Sequence, residues 1–157
     1  MRVSICLLLA GCLYAQPTPE AQVRHLMADF LTAFDNLDWQ MFRQCWVADP
    51  VVFFASVVQP TGRRTEDAAT FEDVWHRQFE LIRNNAAGRG VTKAPFQDIQ
   101  PKDLRIDFPS PSIAVVTFHL GPTNNVLGRR MFVLAKTEAG WKITHLHASN
   151  LSLSPPN

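Results

Sequence analysis

Apolar residues recur every three or four positions in two segments of the chain, 18–38 and 69–85. This spacing places them on one face of an α-helix, so both segments are predicted to be amphipathic helices. A shorter helix is expected in segment 39–49, with Asp38 as its N-cap. Thr70 and Asp73 fit a capping box at the start of the last helix. The two apolar stripes consist of Val23, Met27, Phe30, Leu31 and Phe34, and of Phe71, Val74, Trp75, Gln78, Phe79 and Ile82.

The rest of the chain has the pattern of β-strands. Segment 51–58, "VVFFASVV", is rich in β-branched and aromatic residues without polar alternation, which predicts a strand buried on both faces. Four later segments, 102–108, 112–120, 129–136 and 140–150, are separated by turn residues and predict an antiparallel meander. Helices followed by a meander indicate an α+β domain with helices packed on one face of a curved sheet.

The first fifteen residues differ from the remainder. Arg2 precedes an apolar run and Ala15 precedes "QPTPE", which is the layout of a signal peptide spanning residues 1–15. We therefore expect a secreted or periplasmic protein with a single domain over residues 16–157. The alternative is a lipoprotein signal, "LAGC", in which Cys12 would be acylated and anchor the protein. The apolar run is too short to span a bilayer, which needs about 20 residues.

Charge and cysteine content exclude several classes of function. Without Arg2 the chain has 14 basic and 14 acidic side chains, so no net field favours nucleic acid or an anionic membrane as partner. Beyond the predicted signal peptide only Cys45 remains, which excludes an internal disulfide, and we interpret it as a small buried hydrophobe. The histidines lack metal-ligand spacing with cysteine or carboxylate, so neither a metal nor another cofactor is predicted.

Three segments carry a resemblance to a known family: "FLTAFDNLDWQMFRQCWVADPVVFF" at 30–54, "GRRMFVLAK" at 128–136 and "GWKITHLHAS" at 140–149. With the order of predicted elements, they resemble the SnoaL-like branch of the nuclear-transport-factor-2-like superfamily over residues 20–152. That superfamily also includes ketosteroid isomerases, scytalone dehydratase and the kinase association domain. The resemblance implies a cone-shaped α+β barrel with a pocket between helices and sheet, and frequently a dimer formed by the sheets.

Candidate site residues come mainly from the last three predicted strands. Simple alternation along 141–150 places Trp141, Ile143, His145, His147 and Ser149 on one face. The resemblance to the kinase association domain implies that His147 and Ser149 line the pocket and that His145 lies deeper on the strand.

Two further strands add candidates. His119 shares a strand face with Thr117. Arg130 shares one with Phe132 and needs an anionic partner if it is buried, either a protein carboxylate or a carboxylate ligand; alternatively it reaches solvent. The catalytic candidates are His147 and His119, and the ligand-binding candidates are His145, Ser149, Arg130, Thr117, Phe132 and Trp75.

Three hypotheses of function follow. The first is binding of a small ligand, a carboxylate or a polycyclic molecule, in a hydrophobic pocket. The second is an isomerase, dehydratase or cyclase that uses His147 or His119 as general base. Ketosteroid isomerase chemistry needs a tyrosine in its oxyanion hole, and the single tyrosine, Tyr14, lies in the predicted signal peptide. The third is a dimeric assembly module.

A homodimer is also predicted from the last strand. The strand face opposite His147 would carry Thr144, Leu146 and Ala148, which are uncharged. An uncovered sheet face normally alternates with polar residues, and uncharged surface of this kind commonly marks a protein contact. We therefore predict a twofold dimer packed sheet to sheet, with Leu146 near its centre.

Overall fold

Three helices and six strands form the fold in this computed structural model, which describes residues 16–54, 63–65, 67–123 and 125–153. The predicted signal peptide and the second half of the predicted strand 51–58 lie outside the described residues. The helices are α1 (Pro19–Asn36), α2 (Trp39–Gln44) and α3 (Ala68–Gly88), and the strands are β1 (Trp46–Phe54), β2 (Arg63–Arg64), β3 (Pro101–Ser110), β4 (Ile113–Thr123), β5 (Val126–Thr137) and β6 (Gly140–Ser152).

Side-chain caps fix where the helices begin. The Asp38 carboxylate accepts a hydrogen bond from the Met41 N–H at 3.0 Å, which confirms it as the N-cap of α2. The predicted capping box at Thr70 is wrong. The N-cap of α3 is Asp67, whose carboxylate accepts the Thr70 N–H at 2.7 Å, so Thr70 lies in the first turn.

The strands form one mixed sheet in the order β2-β1-β6-β5-β4-β3. The meander from β3 to β6 is antiparallel as predicted, whereas β1 pairs with β6 in parallel. The two edge strands, β2 and β3, do not pair with each other within the described residues, so the sheet is open and not a closed barrel.

A β-bulge interrupts the pairing of β5 with β6. Leu134 pairs with Ile143 and Val133 pairs with His145, so Thr144 is an extra residue on β6. Its hydroxyl donates a hydrogen bond to the Val133 carbonyl at 3.0 Å. Because side chains alternate along a strand, one extra residue reverses the face on which every later side chain lies.

The bulge corrects two predictions. Trp141 and Ile143 face the core before it, and Leu146 and Ala148 take that face after it, so His145, His147 and Ser149 lie on the opposite face. The prediction that Trp141 and Ile143 share a strand face with the three later residues, His145, His147 and Ser149, is therefore wrong. Placing Leu146 at the centre of a dimer is also wrong, because its side chain is only 4% exposed and packs in the core.

The helices cover one face of the sheet, called here the inner face, through a cluster of aromatic rings. Phe42 is fully buried, and its ring centroid lies 4.8 Å from that of Trp75 and 5.1 Å from that of Phe79. Such pairs add to the stabilisation that ring burial itself provides. Cys45 is buried beside them, and burial raises the pKa of its thiol to about 11. This agrees with its interpretation as a small hydrophobe.

None of the helices in the described part of the chain is long and apolar enough to cross a bilayer.

Candidate ligand-binding site

A pocket of about 270 Å³ opens between α1, α3 and the inner face of the sheet. Aromatic side chains dominate its wall, and aliphatic ones such as Leu146 and Ala148 complete it. Polar side chains enter the wall at three positions, Gln78, Gln97 and Arg130. The aromatic part of the wall consists of Phe30, Phe34, Phe54, Trp75, Phe118 and Phe132.

Arg130 brings a positive charge into this apolar wall. It lies on β5 two residues before Phe132 and is half-buried on the inner face. Its Nη1 donates to the Arg129 carbonyl at 2.9 Å and to the Ser149 carbonyl at 3.2 Å. The ion pairs among the described residues all involve other side chains. Burial lowers the pKa of the Arg130 guanidinium, which nevertheless stays charged near neutral pH.

Two residues of the wall also carry a buried hydrogen-bond donor without a partner. The Nε2 atom of Gln97 and the Nε1 atom of Trp75 make no hydrogen bond within the described structure. Both atoms are inaccessible even to water, so they lie behind the pocket surface and not on it. The Nε1 atoms of Trp46 and Trp141 are buried and unpaired in the same way.

Gln97 reaches the pocket wall because Asp35, near the end of α1, accepts hydrogen bonds from the loop before β3. The Asp35 backbone carbonyl accepts the Phe96 N–H at 2.8 Å, and its carboxylate accepts the Ile99 N–H at 3.2 Å. Burial raises the pKa of the Asp35 carboxyl, while the bond from Ile99 opposes that rise. These bonds place Gln97 and Ile99 beside the pocket.

Arg130 is the only ionisable side chain among the described residues that line the pocket. General acid–base catalysis needs a group that exchanges a proton near the operating pH, within hydrogen-bond reach of the substrate. An arginine does not meet that requirement.

The predicted site residues divide between the two faces of the sheet. Arg130, Phe132 and Trp75 lie together on the pocket wall, and Arg130 also borders the groove on the other face. Thr117, His119, His147 and Ser149 lie on the opposite, outer face in a shallow groove of about 590 Å³. The pocket positions that the resemblance implied for His147 and Ser149 are therefore wrong, because the bulge at Thr144 turns both side chains away. The predicted roles of all these residues in binding or catalysis stay predictions.

The outer groove contains the histidines in an open setting. The Nδ1 atom of His119 lies 3.9 Å from Asp103 Oδ2, and both side chains are largely exposed. The His147 ring stacks on Phe53 at 5.5 Å between centroids. His145 is exposed beside the groove, with its Nδ1 3.0 Å from the Thr144 hydroxyl.

Residues 16–54, 63–65, 67–123 and 125–153 contain no group of three or more His, Cys, Asp or Glu side chains placed to hold a metal ion.

Sequence reasoning missed several residues of the pocket. Gln97 and Ile99 lie in a loop, and only the hydrogen bonds to Asp35 bring them to the wall. Ala148 was assigned to the outer face and lies on the inner one. No pattern of apolar residues marks these three positions, since their placement depends on tertiary contacts and on the bulge.

The SnoaL-like domain family matches residues 23–153 of this sequence. The match covers most of the chain, and the chain belongs to this family. No curated protein matches it.

Solved structures of two nuclear-transport-factor-2-like proteins and of one DUF3225 family protein have a similar fold. A protein of unknown function from Pseudomonas putida KT2440 has a TM-score of 0.60 at 16% identity, over 83% of this chain and 84% of the other. A protein of unknown function from Methylobacillus flagellatus KT has a TM-score of 0.61 at 12% identity, over 88% and 97%. A member of the DUF3225 family from Pectobacterium atrosepticum has a TM-score of 0.59 at 20% identity, over 87% and 94%. At these identities the similarity is one of fold.

We expect Arg130→Met to leave the ligand-free protein as stable as before or to stabilise it by about 1 kcal/mol, because it removes a half-buried charge that has no counter-ion among the described residues. Urea unfolding followed by tryptophan fluorescence measures this. The control is Arg129→Met, an exposed neighbour on the outer face, which should change the free energy of unfolding by less than about 0.5 kcal/mol. A loss above about 1 kcal/mol in Arg130→Met would instead assign the guanidinium a structural role, through its bonds to the two backbone carbonyls.

Proposed function

We propose that this SnoaL-like protein binds a small, largely apolar molecule in the pocket between the helices and the inner face of the sheet. The observation that carries the proposal is a pocket wall built from aromatic and aliphatic side chains, with polar groups at only a few positions. Ligand sites in proteins typically have this composition, in which apolar contacts supply affinity and few polar groups fix orientation.

The volume of the pocket restricts the size of the ligand. Its roughly 270 Å³ lies just below the range of about 300–1,000 Å³ that is typical for drug-sized ligands. This favours a molecule of one or two rings, or a short alkyl chain, over a polycyclic one.

The arrangement supports binding over proton-transfer catalysis. Arg130 is the one ionisable side chain of the described pocket wall, whereas an isomerase, dehydratase or cyclase needs a proton acceptor next to the substrate. The histidine alternative would have to operate in the outer groove. His119 is 43% exposed there and Asp103 is 74% exposed, so solvent surrounds both groups.

Filling the pocket should abolish binding. Ala148 lines the pocket, and in Ala148→Phe a ring would occupy part of the 270 Å³. We expect 2-naphthol, a neutral two-ring probe, to raise the melting temperature of the wild type but not of this variant. At 100 times the dissociation constant, the wild-type stabilisation should be about 2.7 kcal/mol.

The matched control for this experiment is Ala87→Phe, which adds the same ring to the exposed side of α3. It should retain the wild-type response to 2-naphthol. If 2-naphthol fails to stabilise the wild type, or stabilises Ala148→Phe equally, this probe does not bind in the pocket and the proposal loses its support.

We also propose that the outer sheet face forms a homodimer interface. Phe53, His147 and Met131 form one row across neighbouring strands, and Val133 and Val115 lie in the next. Met131 is 42% exposed, although methionine is an apolar side chain. An uncovered sheet face with several apolar residues is a typical contact surface, and a twofold dimer is the commonest arrangement.

Sedimentation across protein concentration tests the dimer. We expect the wild type to sediment as a dimer at tens of micromolar, and Met131→Glu to weaken association by at least tenfold because it places two like charges near a twofold axis. Leu81→Glu is the control, since Leu81 is 53% exposed on α3 and away from the sheet. A monomeric wild type, or equal association of both variants, would contradict the proposal.

Export by residues 1–15 is a further proposal, supported by the charged start, apolar run and small residue of that segment. Intact-mass measurement of the protein recovered from the periplasm or medium of a bacterial host should give a chain that begins at Gln16. A mass that includes an acylated Cys12 would support the lipoprotein alternative, and a chain that retains Met1 in the cytoplasm would contradict export.

A further inference from the structure

We propose that the ligand of the pocket is an apolar monocarboxylate, whose carboxylate is bound by the Nε and Nη2 atoms of Arg130. The inference rests on the proposed binding function and adds the chemical class of the ligand. Three features of the pocket carry it: the unused edge of the guanidinium, the lack of a counter-ion among the described residues, and the single charge of the wall.

The hydrogen bonds of Arg130 leave one edge of its guanidinium unused. Nη1 is committed to the carbonyls of Arg129 and Ser149, while Nε and Nη2 make no hydrogen bond to any described residue. The two N–H groups of that edge point in parallel and match the two oxygens of a carboxylate. A planar carboxylate is therefore the group that this edge binds best.

The protein supplies no counter-ion for this charge within its described residues. A charge withdrawn from water without a partner is costly. A ligand carboxylate offsets that cost on binding, and the apolar surroundings strengthen the pair. The positive charge also disfavours amines and other cations.

The charge of the wall limits the ligand to one anionic group. Arg130 is the only ionisable side chain of the described wall, and the remaining surface is mainly aromatic or aliphatic. A second carboxylate would enter apolar surroundings without a counter-ion, which is strongly unfavourable. The body of the ligand must then be apolar.

Calorimetric titration with three related probes tests the inference. The probes are 2-naphthoate, its neutral analogue 2-naphthamide, and naphthalene-2,6-dicarboxylate. We expect the wild type to bind 2-naphthoate about 10–100 times more tightly than 2-naphthamide, the range that hydrogen bonds to a charged group supply. The dicarboxylate should bind more weakly than 2-naphthoate.

Variants assign this preference to Arg130. In Arg130→Gln the affinity ratio of 2-naphthoate to 2-naphthamide should fall to about one. Arg129→Gln, which removes an exposed arginine from the outer face, should leave the ratio unchanged.

The outcomes distinguish this inference from the function on which it rests. If 2-naphthamide binds and 2-naphthoate binds no more tightly, the monocarboxylate assignment is overturned and the binding function stands. The assignment is also overturned if Arg130→Gln retains the preference or if Arg129→Gln loses it. If neither these probes nor 2-naphthol binds, both proposals fail.

Discussion

The bulge at Thr144 determines the chemistry of both faces of the sheet. Side chains alternate along a strand, so the single extra residue on β6 exchanges the faces of all positions that follow it. It turns Leu146 and Ala148 toward the helices, where they complete the pocket wall beside Arg130. It also turns His147 away to the outer groove. In a regular strand, histidines would line the pocket, and the wall would contain proton-transfer groups in place of aliphatic ones.

The pocket also contains a charge that costs the protein stability. Arg130 holds a positive charge in an apolar wall without a counter-ion among the described residues. Selection for stability alone would favour an apolar side chain of similar volume at such a position. Groups kept in unfavourable surroundings commonly serve a function, because a bound ligand offsets their cost. This charge is the physical basis for the proposed ligand.

Regular periodicity makes the helices and the direction of the Arg130 side chain predictable from the sequence. The helices followed from apolar stripes, and the inward direction of Arg130 followed from alternation with Phe132, because β5 itself gains no extra residue there. The failures have physical causes. Thr144 is β-branched and fits a regular strand as well as a bulge, so it leaves no signal. Gln97 reaches the wall through hydrogen bonds to Asp35, and such bonds between distant segments leave no periodic pattern.

The fold and the pocket of this protein carry different information about its function. Membership of the SnoaL-like family sets the arrangement of helices and sheet, yet one scaffold of this kind can host unrelated functions. What separates those functions is which charged and polar groups enter the pocket. Here the described wall contains a guanidinium but no carboxylate or imidazole. A guanidinium in apolar surroundings can neutralise and orient an anion, which is the basis of the proposed recognition of an acid.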